Sequence, residues 1–194
     1  MTRRAVLLIF LGLVAVIAAS QIPKLGSKVE RIGLPLEHSN VIRQQAREKG
    51  LRPELIAAVI YAETKFNARR SPAGAEGLMQ LLPSTAHFIA KRSGGTAFET
   101  ADLADPEVNI RYGSWYLRYL LQRYNGSEPE AVAAYNAGMG NVDRWKAKAN
   151  SEGRSFSESD IGFPETRAYV ERVFGAERDY RSVHGRELGI TPRG

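Results

Sequence analysis

The sequence contains no cysteine, which excludes disulfides, thiol catalysis and lipid attachment through a cysteine. Histidine is scarce. His38, His87 and His184 stand alone, with no zinc-type pairing and no acidic calcium-binding loop elsewhere, so they read as surface or packing residues. Neither a metal nor a cofactor is expected. No run of alternating apolar and polar residues is long enough to organise a sheet, which leaves a mainly α fold. Internal repeats are lacking too. With no basic stripe bearing interleaved aromatics and no zinc or glycine-rich RNA-binding signature, nucleic acid is not an expected partner. The formal charge of +6 selects no partner by itself and would equally suit an anionic wall or membrane surface.

Long apolar runs are limited to one, from Ala5 to Ala19, preceded by the basic stretch Met1-Thr-Arg-Arg4 and ending in the small residues Ala18-Ala19-Ser20. That is the layout of a secretory signal. The run falls short of the roughly 20 residues a spanning helix needs, so residues 1–20 read as a signal peptide in preference to a membrane anchor through residues 5–19. Export to the periplasm or cell envelope follows. Cleavage would remove Arg3 and Arg4 and no acidic residue, lowering the formal charge to +4. Residues 21–37, with Pro23, Gly26, Gly33 and Pro35, read as a linker. One domain, residues 38–184, follows, with residues 185–194 as a frayed tail and a monomer as the default state. The composition of the whole sequence, 43% hydrophobic and 25% charged, is that of an ordinary globular protein.

Within the domain the punctuation is helical. Ser39 or Asn40 can cap a helix to about Lys49, with Gly50 at its C-terminal end, and Pro53 opens a helix through Phe66. Asp105-Pro106 repeats the device, and the following helix sets Val108, Tyr112, Trp115, Tyr116, Tyr119 and Leu120 on one face. These aromatics read as core more than as a ligand platform. Glu128-Pro129 opens a short helix through Ala137, terminated by Gly138 and Gly140; Pro164 opens a last one, with Tyr169, Val170, Val173 and Phe174 as its apolar stripe. Residues 93–96 and 150–162 read as loops.

Glu63 is the anomaly. Ile56, Val59 and Ile60 lie seven, four and three residues before it, so the helical period places a carboxylate on the core-forming face. Burial disfavours its ionised form, and the negative end of the helix dipole pushes the same way. A carboxyl kept protonated near neutral pH is what general acid catalysis requires, although most helical glutamates are simply solvated. Downstream, Ser71-Pro-Ala-Gly-Ala-Glu-Gly-Leu-Met-Gln-Leu-Leu-Pro83 combines glycines suited to close backbone approach with Gln80, whose amide suits sugar hydroxyls and acetamides. Met79 fits a core as well as a cleft. Ala133-Ala-Tyr-Asn-Ala-Gly138 puts Tyr135 and Asn136 at a helix end.

In order, Ala62-Glu63-Thr64, Gly77-Leu-Met-Gln80, Ala134-Tyr-Asn-Ala-Gly138 and Glu165-Thr-Arg-Ala-Tyr-Val170 resemble the motif series of the soluble lytic murein transglycosylase family. Ser71-Pro-Ala-Gly-Ala and Leu81-Leu-Pro-Ser-Thr-Ala86 resemble it as well, so the likeness covers roughly Ser39 to Phe174. The resemblance implies a goose-lysozyme-like SLT domain, mainly helical, with peptidoglycan glycan strands held in a cleft. It matches Glu63 to the catalytic acid and Thr64, Gly77, Met79, Gln80, Tyr135, Asn136 and Tyr169 to residues that bind substrate. The residue after the glutamate is usually serine in that family, whereas here it is Thr64.

The implied reaction is cleavage of the MurNAc–GlcNAc β-1,4 bond with closure of the C6 hydroxyl onto C1, leaving a 1,6-anhydroMurNAc end. One carboxyl serves both proton transfers. Two-carboxylate glycosidases would need a second acid; Glu76, Asp102 and Asp105 are nearest the motifs, but Asp105 reads as a cap and Glu76 as a loop residue, leaving that role to the substrate's N-acetyl group. A lysozyme-like hydrolase and a non-catalytic peptidoglycan-binding module are the alternatives. Intact Glu63, Gln80 and Tyr135 argue against the second.

Overall fold

The computed structural model describes residues 33–95 and 97–191. The expected signal or anchor at residues 1–20 and most of the linker lie outside the described residues. Among the described residues from Ser39 onward, seven α-helices follow in order: α1 Ser39–Lys49, α2 Pro53–Thr64, α3 Pro83–Ser93, α4 Pro106–Arg123, α5 Glu128–Ala137, α6 Met139–Ser151 and α7 Pro164–His184. Short 3-10 turns occupy Thr100–Ala104 and Glu158–Asp160. Among the described residues the only strand-like pairing is an isolated bridge between Glu76 and Leu81, so the mainly α expectation holds.

Prolines open five of the helices, α2, α3, α4, α5 and α7. Proline is suited there because its missing N–H is one the first turn could not use. Asp105 caps α4, accepting from the amides of Glu107 at 2.7 Å and Val108 at 3.0 Å. Gly50 ends α1 in the left-handed conformation and returns its N–H to Ala46 O. The start of α1 differs from expectation: Ser39 is already helical, and His38 occupies the cap position at φ 52 without a side-chain cap bond.

Helix α2 is the centre of the domain. Leu55 through Ile60 are all buried, an all-round apolar surface that α1 and α7 enclose. Each large aliphatic side chain sequestered there contributes about 2 kcal/mol. Helix α5 carries the buried run Ala131-Val-Ala-Ala134, whose small side chains let α4 and α7 approach closely.

Two helices escaped the sequence reading. Helix α3 follows Pro83 directly after the loop, and α6 runs from the expected terminator Gly140 through residues 141–149, which carried no expectation, into the start of the expected loop 150–162: Gly140 lies in its first turn, and only Gly138 ends α5. Residues 185–191 are not frayed. Leu188 is buried, its N–H bonds to His184 O at 2.9 Å, and the Arg43 guanidinium bonds to Glu187 O.

Candidate active site

Helix α2 ends abruptly, one residue after Glu63. Lys65 and Phe66 both adopt left-handed backbone, at φ 52 and φ 62, which non-glycine residues avoid. Packing of Phe66 against Tyr180, with ring centroids 6.0 Å apart, helps hold that conformation. Such strain persists only where surroundings over-determine it. The turn redirects the chain into the segment Arg69–Leu81, which forms one wall of a cleft of about 400 Å³. Glu63, Gln80, Leu82, Tyr116, Tyr135 and Asn136 are among its lining residues.

Glu63 lies partly buried at this cleft, and Tyr169 of α7 donates to its Oε1 at 2.8 Å. Burial pushes its carboxyl from the ordinary 4.5 up to about 7, against the opposing pull of the Tyr169 hydrogen bond and the Arg172 and Arg69 charges. Tyr135 donates to Met79 O at 3.0 Å. Its phenol is held well above the usual range by burial first and the Glu63 charge second, so the hydroxyl stays neutral. Glu63 is the only carboxylate among the described residues lining the cleft. Glu76 instead pairs with Arg70 at 3.6 Å, Asp102 accepts from Glu99 N at 2.9 Å, and Asp105 caps α4.

The expected site residues separate into two groups. Glu63, Gln80, Tyr135 and Asn136 come together at the cleft. Gln80 sits at φ 48 with its Nε2 donating to Arg69 O at 2.7 Å and Gly77 O at 2.8 Å. Asn136 Oδ1 accepts from Thr166 at 2.8 Å, joining α5 to α7.

Thr64, Gly77, Met79 and Tyr169 lie outside the lining of this hollow. Thr64 is 2% exposed and turns its hydroxyl to Leu78 O at 2.8 Å. Met79 is fully buried against Gly113 of α4, where an added Cβ would lie 2.3 Å from its Sδ. Gly77, at φ 78, lies so close to Asn109 that a Cβ would meet Nδ2 at 2.0 Å. Tyr169, 2% exposed, stands behind the carboxyl it bonds. All four shape the cleft by placing other groups.

Sequence reading missed Asn109 and saw only the core role of Tyr116. Asn109, 0% exposed, donates to Glu76 O at 2.9 Å and Leu103 O at 3.0 Å, and accepts from Met79 N at 2.8 Å. Three backbone groups on two segments, the cleft wall and the Thr100–Ala104 turn, are thereby fixed by one amide. Its apolar-face neighbours gave no signal of this, because the partners are remote in sequence. Tyr116, read as core, is largely buried yet reaches the cleft, its ring centroid 5.5 Å from that of Tyr135.

Residues 40–156 match the transglycosylase SLT domain family. The soluble lytic murein transglycosylase of Salmonella typhimurium is 36% identical over 162 residues, 80% of this chain and 25% of that protein. The 70-kDa soluble lytic transglycosylase of Escherichia coli is 32% identical in its crystal structure, with a TM-score of 0.72 over 82% of this chain and 26% of that one. An inactive variant of the Pseudomonas aeruginosa lytic transglycosylase Slt gives 34% identity and a TM-score of 0.68, over 82% of this chain and 25% of that one. The chain therefore spans about a quarter of the length of these relatives. Matched in sequence over most of its helical domain and in fold by lysozyme-like lytic transglycosylases, the chain belongs to the transglycosylase SLT domain family.

Proposed function

We propose that this protein is a peptidoglycan lytic transglycosylase acting in the cell envelope, and that Glu63 is its single acid and base. The observation that carries the reading is a lone cleft carboxyl held near neutral pH by burial, with no second carboxylate among the lining residues. A group with that pKa donates and recovers a proton under the same conditions.

Tyr169 occupies Oε1 of Glu63, which leaves Oε2 as the oxygen that meets the substrate. Protonated there, Glu63 donates to the glycosidic oxygen between MurNAc and GlcNAc, and the bond breaks with oxocarbenium character on the muramyl sugar. The substrate's N-acetyl group supports C1 in place of a second carboxylate. The Glu63 carboxylate then takes the C6 hydroxyl proton as that oxygen closes on C1, giving the 1,6-anhydro end. No water is consumed.

The remaining cleft groups have fixed hydrogen-bonding roles. Gln80 commits both amide protons to backbone carbonyls, so it offers substrate an acceptor, Oε1, suited to a hydroxyl or acetamide N–H. Tyr135 commits its proton to Met79 O, leaving its ring face and oxygen lone pairs for the cleft. Thr64 and Asn109 hold the wall segment on α2 and α4.

Digestion of purified peptidoglycan by the full chain and by Glu63→Gln, with mass analysis of the soluble products, tests the reading. Products lighter by one water and lacking a reducing end, absent from the variant, are expected. Reducing-end products would make the protein a lysozyme-like hydrolase, and no products from the folded wild type would overturn the enzymatic reading.

A further inference from the structure

A second groove, sharing no lining residue with the cleft, runs along α4 beside the C-terminal ends of α1 and α3. It consists of two hollows of about 300 and 470 Å³ that share Lys49 and Trp115. Arg111 and Tyr112 line the first, Arg118, Tyr119 and Gln122 the second. In sequence these residues gave no evident basic stripe. On the helix, Arg111, Trp115, Arg118, Tyr119 and Gln122 recur at spacings of three and four and share one face.

The groove combines stacked rings with uncompensated charge. Trp115 and Tyr119 stack at 5.6 Å with their planes 6° apart, and Phe88 meets both edge-on. Arg92 lies over the Phe88 and Tyr119 rings, 5.0 and 5.4 Å from their centroids. Arg111 and Arg118 form no ion pair with any described residue. Glu48, the only lining carboxylate, is already engaged by Lys49 at 3.6 Å and by the Gln44 and Gln45 amides. Helix C-termini repel anions, and three cations against one carboxylate more than offset that here.

We propose that this groove is an accessory binding site for a carboxylate-bearing glycan strand, a neighbouring stretch of the wall polymer cut in the cleft. The proposal rests on the functional reading above. Sugar rings pack on the half-buried Trp115, and carboxylates of the lactyl groups and stem peptides pair with Arg111 and Arg118. A series of neighbouring rings, Trp115, Tyr119, Tyr116 and Tyr135, links the groove to the cleft, with successive centroids 5.6, 6.4 and 5.5 Å apart. Nucleic acid would also be drawn by rings and cations. That continuity with a saccharide cleft favours glycan. A strand held in the groove keeps the enzyme on insoluble wall between cuts, raising the local concentration of substrate at Glu63.

The test uses the full chain carrying Glu63→Gln, which leaves its ligand uncut. Co-sedimentation with insoluble peptidoglycan is compared before and after adding Arg111→Glu and Arg118→Glu. An increase in apparent Kd of at least about fivefold is expected, with a smaller increase for the charge-neutral pair Arg111→Gln and Arg118→Gln. On the Glu63 background, turnover of a short peptide-free glycan oligomer should stay within about twofold of wild type. Unchanged sedimentation overturns the proposal, as does an equal loss of oligomer turnover. Preferential binding of a single-stranded oligonucleotide, abolished by the same substitutions, would assign the groove to nucleic acid instead. Sedimentation that depends on Arg111 and Arg118, in a wild type that releases no products, would sink the functional reading and leave the groove standing.

Discussion

Tyr169 on α7 and Glu63 on α2 meet through one hydrogen bond, phenol to carboxyl Oε1 at 2.8 Å, between the two helices that pack most extensively against each other. That bond favours the ionised carboxyl, opposing the burial that favours the neutral form. Tyr169→Phe removes the opposition without altering packing volume. The alkaline limb of kcat/KM should therefore move to higher pH, while kcat falls about tenfold because Oε2 is no longer oriented. A pH–rate profile unchanged from wild type would contradict this arrangement.

The raised pKa of Glu63 also has a stability consequence. Between the ordinary carboxyl value of 4.5 and about 7, the folded protein keeps a proton that the unfolded chain releases. Stability therefore falls as pH rises through that window, and the full cost, about 3 kcal/mol, is present above it. Glu63→Gln should abolish cleavage yet stabilise the fold at pH 8, with little gain at pH 4. Urea denaturation at the two pH values measures the difference. Equal stabilisation at both would mean the carboxyl is not buried as described.

Thr64 directly follows Glu63, and its hydroxyl is a tie from α2 to Leu78 O. Thr64→Ser keeps the tie and loses one methyl from a buried site, at a cost of about 1 kcal/mol with near-normal kcat. Thr64→Val keeps the volume but strands the carbonyl, at a cost of about 1–3 kcal/mol. Thermal melts should rank wild type, serine and valine in descending order. The valine variant should also lose kcat per folded molecule, because the wall segment loses its hold on α2.

Asn109 invites a sharper separation of folding from activity. Asn109→Ala leaves Glu76 O, Leu103 O and Met79 N without their buried partner, an expected loss of about 3 kcal/mol or more. Where the variant still folds, kcat should drop through displacement of Gln80 and Tyr135, which depend on the same segment. Far-UV circular dichroism with active-site turnover distinguishes this from global unfolding. Normal kcat per folded molecule would make Asn109 purely structural.

Helix starts and the anomalous Glu63 were legible because they depend on neighbours a few residues away. Pro53, Pro106, Pro129 and Pro164 marked four starts, and Asp105 its cap. Helix α6 was hidden because Gly138 separates it from α5 by one residue, and Gly140 within it read as a terminator. The roles of Thr64, Gly77, Met79 and Tyr169 were illegible for a different reason. A motif shows which residues matter to the cleft, while burial decides which of them face it, and burial is set by α4 and α7 from afar. Tyr116 illustrates the converse, since helical spacing places an aromatic on the inner face without revealing that the inner face opens into a cavity.

Met79 and Gly113 impose a restriction on the protein's history. With the thioether pressed onto the bare Cα of α4, neither position is free to change first: a methyl at 113 collides with the sulfur, and a smaller residue at 79 leaves a void beneath the Tyr135 anchor. Relatives that depart from this pairing should depart at both positions together, with bulk shifting from the loop to the helix, and single changes at either should be rare among functional descendants.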